Sequence, residues 1–211
     1  MEYERLRREF YLDGAVRVAR GLLGAFLVRR GPEGTVAGRV VETEAYAGAS
    51  DAACHAYGRT GPTGAHRTDV MFGEGGHAYV YLIYGMYDCF NVVAGRAGQP
   101  EAVLIRALEP VEGISLMCGR RGTDDVRKLC SGPGKLCMAL GITRALNGED
   151  LCRGAHLFLA RGECPPDAQV AATPRINVDY AGEACAYPYR FVVRDSAFLS
   201  TRRFLPRLRK S

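Results

Sequence analysis

One stretch of this sequence, residues 78–91 (AYVYLIYGMYDCFN), constrains the fold more than any other. Residues 78–83 are aromatic, β-branched or otherwise apolar, which predicts a β-strand. Gly85 then offers a turn and residues 89–94 form a second apolar run, so the whole stretch predicts a β-hairpin. Its tip carries three large and partly apolar side chains: Tyr84, Met86 and Tyr87. Since exposed turns normally carry small polar residues, the tip is either buried, which the hairpin alone favours, or a wedge that enters a partner.

The length and composition are those of an ordinary globular domain. The chain has 211 residues, of which 47% are hydrophobic and 24% are charged, and this is enough for a substantial core. We predict one domain over residues 1–211. No apolar run of about 18 residues occurs, and the N-terminus is too charged for a signal peptide. We therefore expect a cytoplasmic protein outside the membrane, and nothing in the sequence points to more than a monomer.

The cysteines and histidines predict no metal or cofactor site. The eight cysteines include no CxxC pair, so they are expected to be reduced core residues in a cytoplasmic chain. His55, His66 and His77 are evenly spaced, but HxxxH and HExxH motifs are absent. The net charge of +5, with its densest basic run at residues 201–211, permits a nucleic-acid partner without establishing one.

The rest of the chain mixes strands and helices without repeats or linkers. Strands are predicted in apolar or alternating segments: residues 25–30, 36–46, 78–83, 89–94, 102–108, 157–162, 174–179 and 189–194. Helices are predicted at residues 13–23, 50–58, 109–121 and 147–153, and after a loop within residues 131–142. Residues 58–77 are predicted to form a long ordered loop. Few crossover helices separate the strands, which predicts an α+β fold: one compact domain with a curved, mostly antiparallel sheet, flanking helices and a protruding hairpin.

Two carboxylates two residues apart, Glu42 and Glu44, are candidates for chemistry because both point to the same face of an extended strand. They have three interpretations: a solvated strand face, a general base that activates water, or a metal site shared with Asp51 and Asp69. Arg106 lies within an apolar strand and needs a partner if it is buried. That partner is either a structural ion-pair residue or a catalytic carboxylate, and spacing alone leaves both open.

Residues 131–136 (SGPGKL) resemble a phosphate loop but lack the GxxxxGK[ST] pattern, so triphosphate binding is not predicted. A helix N-terminus with Lys135 could hold one backbone phosphate. Helix capping alone would also explain the segment.

Taken together, these segments resemble the alkyladenine (3-methyladenine) DNA glycosylase family. The matching motifs occur in the family's order over nearly the whole chain: VVETEAYAG, DAACHAYG, MFGEGGHAYVYLIYGMYDCFNV, VLIRALEPVEG, LCSGPGKLCMALGI, PRINVDYAGEA and PYRFVV. The resemblance implies a monofunctional enzyme of base excision repair that needs no cofactor. It would hydrolyse the N-glycosidic bond of alkylated or deaminated purines, such as 3-methyladenine and hypoxanthine, in double-stranded DNA.

The resemblance also implies a role for individual residues. Glu44 would deprotonate the attacking water, with Arg106 helping to hold that water and the backbone at Ile176 completing its site. The flipped base would be bound by four side chains, with Tyr46 and Tyr81 on its two faces, His55 beside it and Asn91 against the purine edge, where it would help exclude guanine. The hairpin tip would replace the extruded base with Tyr84, supported in the minor groove by Met86 and Tyr87.

Physical arguments from the residues agree with these roles. A base inside a duplex must be extruded before water reaches it, and an aromatic wedge offsets the lost stacking. In an extended strand Tyr81 and Tyr84 would face opposite ways. A guanidinium beside Glu44 favours the ionised carboxylate. Hypoxanthine, unlike a cationic alkylpurine, would need protonation to leave, and the sequence names no acid.

Two residues depart from the family pattern. Asn177 stands where a glycine is expected after Arg-Ile, and asparagine tolerates a positive φ. Asp88 places a negative charge beside the hairpin tip and is expected to point away from DNA. Two rival functions remain at this point: a damage-binding module without catalysis, which would need neither Glu44 nor Arg106, and a metal-dependent phosphoesterase.

Overall fold

The computed structural model describes residues 2–205, which form one α+β domain. Eight strands make a single sheet: β1 (Phe26–Gly31), β2 (Gly34–Tyr46), β3 (Ala78–Ile83), β4 (Tyr87–Ala94), β5 (Glu101–Glu112), β6 (Leu157–Ala160), β7 (Val170–Thr173) and β8 (Arg190–Val193). Five α-helices accompany them: α1 (Arg8–Tyr11), α2 (Ala15–Gly21), α3 (Ile114–Arg121), α4 (Val126–Leu129) and α5 (Pro133–Leu140). The predicted fold class is confirmed. Residues 206–211, the last part of the predicted basic run, lie outside the described residues.

The sheet is antiparallel at every pairing between its strands in residues 2–205. The order is β3-β4-β5-β2-β1-β6, and β8 adds to β2 and carries β7 on its other edge. Short connections between neighbouring strands agree with this arrangement, because only antiparallel strands can be joined by tight turns.

The long strand β2 organises the sheet because it changes neighbours along its length. Its first half pairs with β1 up to Arg39, whereas residues Glu42 to Glu44 pair with β8. Strand β5 lies along its other edge from Ala37 to Tyr46. The ETE segment is therefore placed between two strands, and each of these strands carries an arginine: Arg106 on β5 and Arg190 on β8.

The main core lies between the sheet and the helices, where Val18, Ala19 and Leu22 from the α2 region are fully buried. The helix was predicted from the spacing of Val16, Ala19, Leu22 and Leu23, of which Val16 is only partly buried. The helix begins after Gly14, which is the N-cap and makes no side-chain capping bond. Instead, the Glu101 carboxylate of β5 accepts the N–H of Ala15 at 2.5 Å, so a partner from the sheet replaces the local cap.

Several predicted elements differ in the structure. Residues 51–58 form turns rather than the predicted helix, because the Asp51 carboxylate accepts the N–H groups of Ala47 and Ala53. Residues 147–153 also form turns, around Asp150, whose side chain accepts the N–H of Cys152. Residues 174–179 are irregular, and the strand precedes them as β7. Residues 109–112, predicted as helix, continue β5.

The hairpin of β3 and β4 is present, and its tip is exposed. Tyr84 is 74% exposed and Met86 67%, so the expectation of a buried tip is wrong. No helix within residues 2–205 is long and apolar enough to cross a lipid bilayer.

Candidate active site

The two glutamates of the ETE segment are fully buried and lie beside the same arginine. Arg106 donates from Nε to Glu42 at 2.9 Å and from Nη1 to Glu44 at 3.2 Å. This confirms that both carboxylates share one face and excludes the solvated strand face. The two carboxylates oppose the effect of burial and raise the pKa of Arg106, so its guanidinium is charged.

Arg106 reaches both carboxylates because the β2–β5 ladder is irregular at this point. Glu42 pairs with Ala107 and Thr43 with Ile105, so Arg106 is the extra residue of a β-bulge. A bulge redirects the side chain of the inserted residue. The bulge thus places the guanidinium of β5 between two carboxylates of β2.

Glu44 is held by donors from three separate parts of the chain. Its Oε1 accepts the backbone N–H of Ile176 at 2.7 Å, and its Oε2 accepts the Tyr46 hydroxyl at 2.9 Å in addition to Arg106. Burial, reinforced by the charge of Glu44, raises the pKa of Tyr46 well above its usual range, so Tyr46 stays a donor. A carboxylate offers about four acceptor positions. The donors among residues 2–205 fill three of them and leave one on Oε1.

A second buried pair supports the Ile176 contact. Arg175 binds Asp51 with two parallel hydrogen bonds of 2.5 and 2.8 Å, and it also donates to the carbonyl of Ala45. Its guanidinium lies 4.9 Å from the ring centroid of Tyr46. Although burial opposes ionisation, the Arg175 bond and backbone donors lower the pKa of Asp51.

Asn177, two residues after Arg175, has φ 60°, as expected for a residue that replaces glycine.

These groups border a cavity of about 360 Å³, within the range of roughly 300–1,000 Å³ for small-molecule sites. Tyr46, Arg106 and Ile176 line it, whereas Glu44 is fully buried behind them. Tyr81 and Tyr79 form an aromatic wall, with ring centroids 5.3 Å apart. The predicted stacking residues Tyr46 and Tyr81 therefore border the same cavity.

His55 also lines the cavity, and its ring packs edge-on against Tyr81 with centroids 4.6 Å apart. Its Nδ1 lies 3.0 Å from the Tyr79 hydroxyl. Burial, aided by the positive charge of Arg67, lowers the pKa of His55 to about 4. The imidazole is therefore neutral at neutral pH and adds no positive charge to the cavity.

Asn91 is buried on β4 at the cavity wall. Its Nδ2 donates to the carbonyl of Tyr79 at 3.1 Å, across the pairing of β3 with β4. The strand register therefore fixes the orientation of its amide.

The hairpin tip has the geometry of a tight turn with an unusual residue. Tyr84 and Gly85 have φ values of 52° and 70°, and Met86 N–H donates to the Ile83 carbonyl. Such turns favour Asn-Gly, and a bulky residue at positive φ is strained. The sequence predicted that Tyr81 and Tyr84 face opposite sides of one strand, but β3 ends before Tyr84. Both side chains border the cavity.

Tyr87, the tip residue with which β4 begins, packs on the first turn of α5. A Cβ at Gly134 would lie 2.9 Å from Cβ of Tyr87, so the glycine permits this close approach. Lys135, the next residue, is exposed and makes no ion pair with any of residues 2–205. Asp88 pairs with Arg144, 3.2 Å from Oδ1 to Nε, rather than standing unpaired beside the tip.

The carboxylates that the sequence offered as metal ligands are paired with arginines. Asp51 binds Arg175, and Asp69 binds Arg59 at 2.7 Å. Within the described part of the chain, no group of three or more histidine, cysteine or acidic side chains is placed to hold a metal ion.

Sequence reasoning missed two important arginines, Arg175 and Arg190. Arg190 is fully buried on β8 and donates to Glu42 at 2.8 Å. Arg106 was identified as a charged residue within an apolar strand, and Arg190 shows the same pattern in residues 189–194 (YRFVVR). Arg175 lies in an irregular segment and carried no comparable signal.

Comparison with known proteins agrees with this site. The profile of the family described as methylpurine-DNA glycosylase (MPG) matches residues 9–197. A protein from Methanocella arvoryzae is 52% identical over 93% of this chain and 96% of its own length. One from Myxococcus xanthus is 51% identical over 92% and 93%, and one from Desulfitobacterium hafniense is 45% identical over 94% and 100%. All three bear the name "Putative 3-methyladenine DNA glycosylase".

The class of protein is thus that of the DNA glycosylases that act in the repair of alkylated purines. The chain belongs to the methylpurine-DNA glycosylase family. The resemblance drawn from its motifs is confirmed.

Proposed function

We propose that this enzyme removes alkylated or deaminated purines, such as 3-methyladenine and hypoxanthine, from duplex DNA with a water molecule activated by Glu44. The observation that carries the proposal is the geometry of Glu44. Three donors hold its carboxylate behind the residues that line an aromatic cavity, and one acceptor position remains on Oε1. That position suits the proton of a water molecule, which then attacks C1′ of the nucleotide as the purine departs.

The cavity supports the recognition of a flipped base. Tyr46 and Tyr81 would stack on the two faces of the purine, and His55 and Asn91 would contact its edges. Neutral His55 does not repel a cationic alkylpurine, and aromatic faces attract such a cation. A cationic purine is also a good leaving group, so an activated water suffices for it.

The exposed tip supports base extrusion. Flipping costs a few kcal/mol of stacking and pairing, and an inserted side chain offsets part of this cost. Tyr84, held in a strained turn and 74% exposed, would fill the gap, with Met86 and Tyr87 in the minor groove. Lys135 would bind a backbone phosphate nearby.

The composition of the cavity wall supports a monofunctional reaction. Strand cleavage by a glycosylase-lyase uses an amine nucleophile that forms a Schiff base. No lysine lines the cavity within residues 2–205. The product would be a free base and an intact abasic strand. The monomeric state and cytoplasmic location remain predictions from the sequence.

The test is single-turnover excision from duplexes with one hypoxanthine or one methylated purine, in the presence of EDTA. The wild type should release free base and leave an uncleaved abasic strand. Glu44→Gln should bind the lesion and release base far more slowly than the wild type. Tight lesion binding by the wild type without release of either base would refute the proposal and identify a damage-binding module.

A further inference from the structure

The guanidinium of Arg106 is divided between two carboxylates. Its Nε donates to Glu42, its Nη1 to Glu44 and its Nη2 to the hydroxyl of Ser200 at 3.3 Å. Glu44 therefore receives a single N–H from this arginine. An arginine next to one carboxylate commonly forms two parallel hydrogen bonds with it instead.

The difference matters because Glu44 has few acceptor positions left. Ile176, Tyr46 and Arg106 already use three of about four. A second N–H from Arg106 would take the remaining one. The carboxylate would then lose the position at which a water molecule could deliver its proton.

Glu42 occupies the Nε edge of Arg106 and is itself held by several donors. It is fully buried and accepts four hydrogen bonds: Arg106 Nε at 2.9 Å, Arg190 Nε at 2.8 Å, Ser200 N–H at 2.7 Å and Ser200 Oγ at 2.7 Å. Burial disfavours its charge, but Arg106 and Arg190 outweigh burial and lower the pKa of Glu42. Glu42 is thus a fixed anion that binds one edge of Arg106.

We infer that Glu42 is a positioning residue for base excision: by holding Nε of Arg106 it limits that arginine to one contact with Glu44 and keeps an oxygen position of Glu44 open for the attacking water. The inference rests on the proposed role of Glu44 as the base. Glu42 itself acts through Arg106 and touches neither water nor purine.

The test is a double-mutant cycle in single-turnover excision with Glu42→Gln, Arg106→Lys and the double variant. Glu42→Gln should lower the rate constant roughly 10- to 100-fold, while the lesion-duplex Kd stays within about threefold of the wild type. Lysine cannot bridge both carboxylates, so in the Arg106→Lys background Glu42→Gln should change the rate less than about twofold. Independent, multiplicative effects of the two substitutions would overturn the inference.

The controls separate positioning from folding and from the proposed function. Glu109→Gln removes another glutamate of the β2–β5 ladder, which pairs with Arg39 at 3.4 Å outside the site, and should not alter the rate constant. A merely structural role of Glu42 would lower the active fraction, and hence the amplitude, without changing the rate constant; that result overturns the inference.

Should Glu42→Gln not fold, Ser200→Ala removes one donor from Glu42 and one acceptor from Arg106. It should lower the rate constant severalfold at unchanged lesion affinity, and an unchanged rate constant contradicts the inference. Full activity of Glu44→Gln would instead refute the proposed function, in which Glu44 is the base. If Glu44→Gln is inactive and Glu42→Gln is fully active, only the positioning role of Glu42 is refuted.

Discussion

The backbone N–H of Ile176 donates to Oε1 of Glu44 over 2.7 Å, although 132 positions of sequence separate the two residues. Ile176 lines the cavity and Glu44 is buried behind it, so this bond fixes where the carboxylate meets the cavity wall. Because every residue except proline supplies this backbone N–H, the position of the 174–177 segment, rather than the side chain of residue 176, decides the geometry of the contact.

Glu44→Gln should lower the single-turnover excision rate by roughly 10²- to 10⁴-fold, the usual contribution of a general base. Glutamine keeps the shape and the acceptor toward Ile176, so lesion binding should be retained. Excision assays and titration of the same lesion duplex measure the two quantities. Equal loss of rate and binding would mean that Glu44 supports only the fold.

Tyr84→Asn should raise stability by roughly 1 kcal/mol, because asparagine adopts the observed φ of 52° with less strain than tyrosine. The same variant should capture and excise lesions poorly, because it lacks an aromatic wedge. Chemical denaturation and excision kinetics give the two results. Unchanged excision and lesion binding would contradict the wedge assignment.

His55 should titrate near pH 4 rather than at its ordinary value of 6.5. Between these values the unfolded chain binds a proton at His55 that the folded protein does not, so stability should fall over this window as the pH falls. NMR of the imidazole nitrogens follows the titration directly. A midpoint near 6.5 would show that the ring is solvated and charged in weak acid.

Lys135→Gln should weaken binding to all duplexes, damaged or not, and reduce the slope of log K against log salt by about 1. The matched control is Lys128→Gln, because Lys128 is also exposed but already pairs with Asp125 at 2.9 Å. Fluorescence titrations at several salt concentrations measure the slope. Equal slopes for Lys135→Gln and the wild type would exclude a phosphate contact.

Asp51→Asn should lower the free energy of unfolding by roughly 3–5 kcal/mol, because it leaves the charge of buried Arg175 unpaired. The pKa of Asp51 is lowered from its ordinary value of 3.8, so its stabilising effect is present above that pH and is lost as the pH falls further. Urea denaturation at several pH values tests both points. A variant as stable as the wild type would show that Arg175 finds another partner.

Short-range patterns were enough to predict the sheet and the hairpin. Largely apolar runs predicted β3, β4 and β5, and the two-residue spacing of Glu42 and Glu44 correctly placed both carboxylates on one face. The motifs also named several of the residues that border the cavity, among them Tyr46, His55, Tyr81 and Asn91. These features depend on neighbours a few positions apart, which is the range over which strand alternation and turn chemistry act.

The failures have a common physical origin in long-range partners. Residues 51–58 do not form a helix because the Asp51 carboxylate binds Arg175, 124 positions away, and backbone N–H groups nearby. Glu42 depends on Ser200, 158 positions away. Tip burial was wrongly expected because apolar character was taken as a sign of the core, although exposed aromatics also serve binding.

The bonds between Glu42 and Ser200 have a consequence for synthesis of the protein. A nascent chain that has not yet exposed residue 200 outside the ribosome lacks two of the four donors to Glu42, and one shorter than 190 residues also lacks the arginine of β8. Glu42, the partner of Arg106, then lacks part of its hydrogen bonds. We therefore expect the buried centre to be completed only after the region around residue 200 has folded back onto β2.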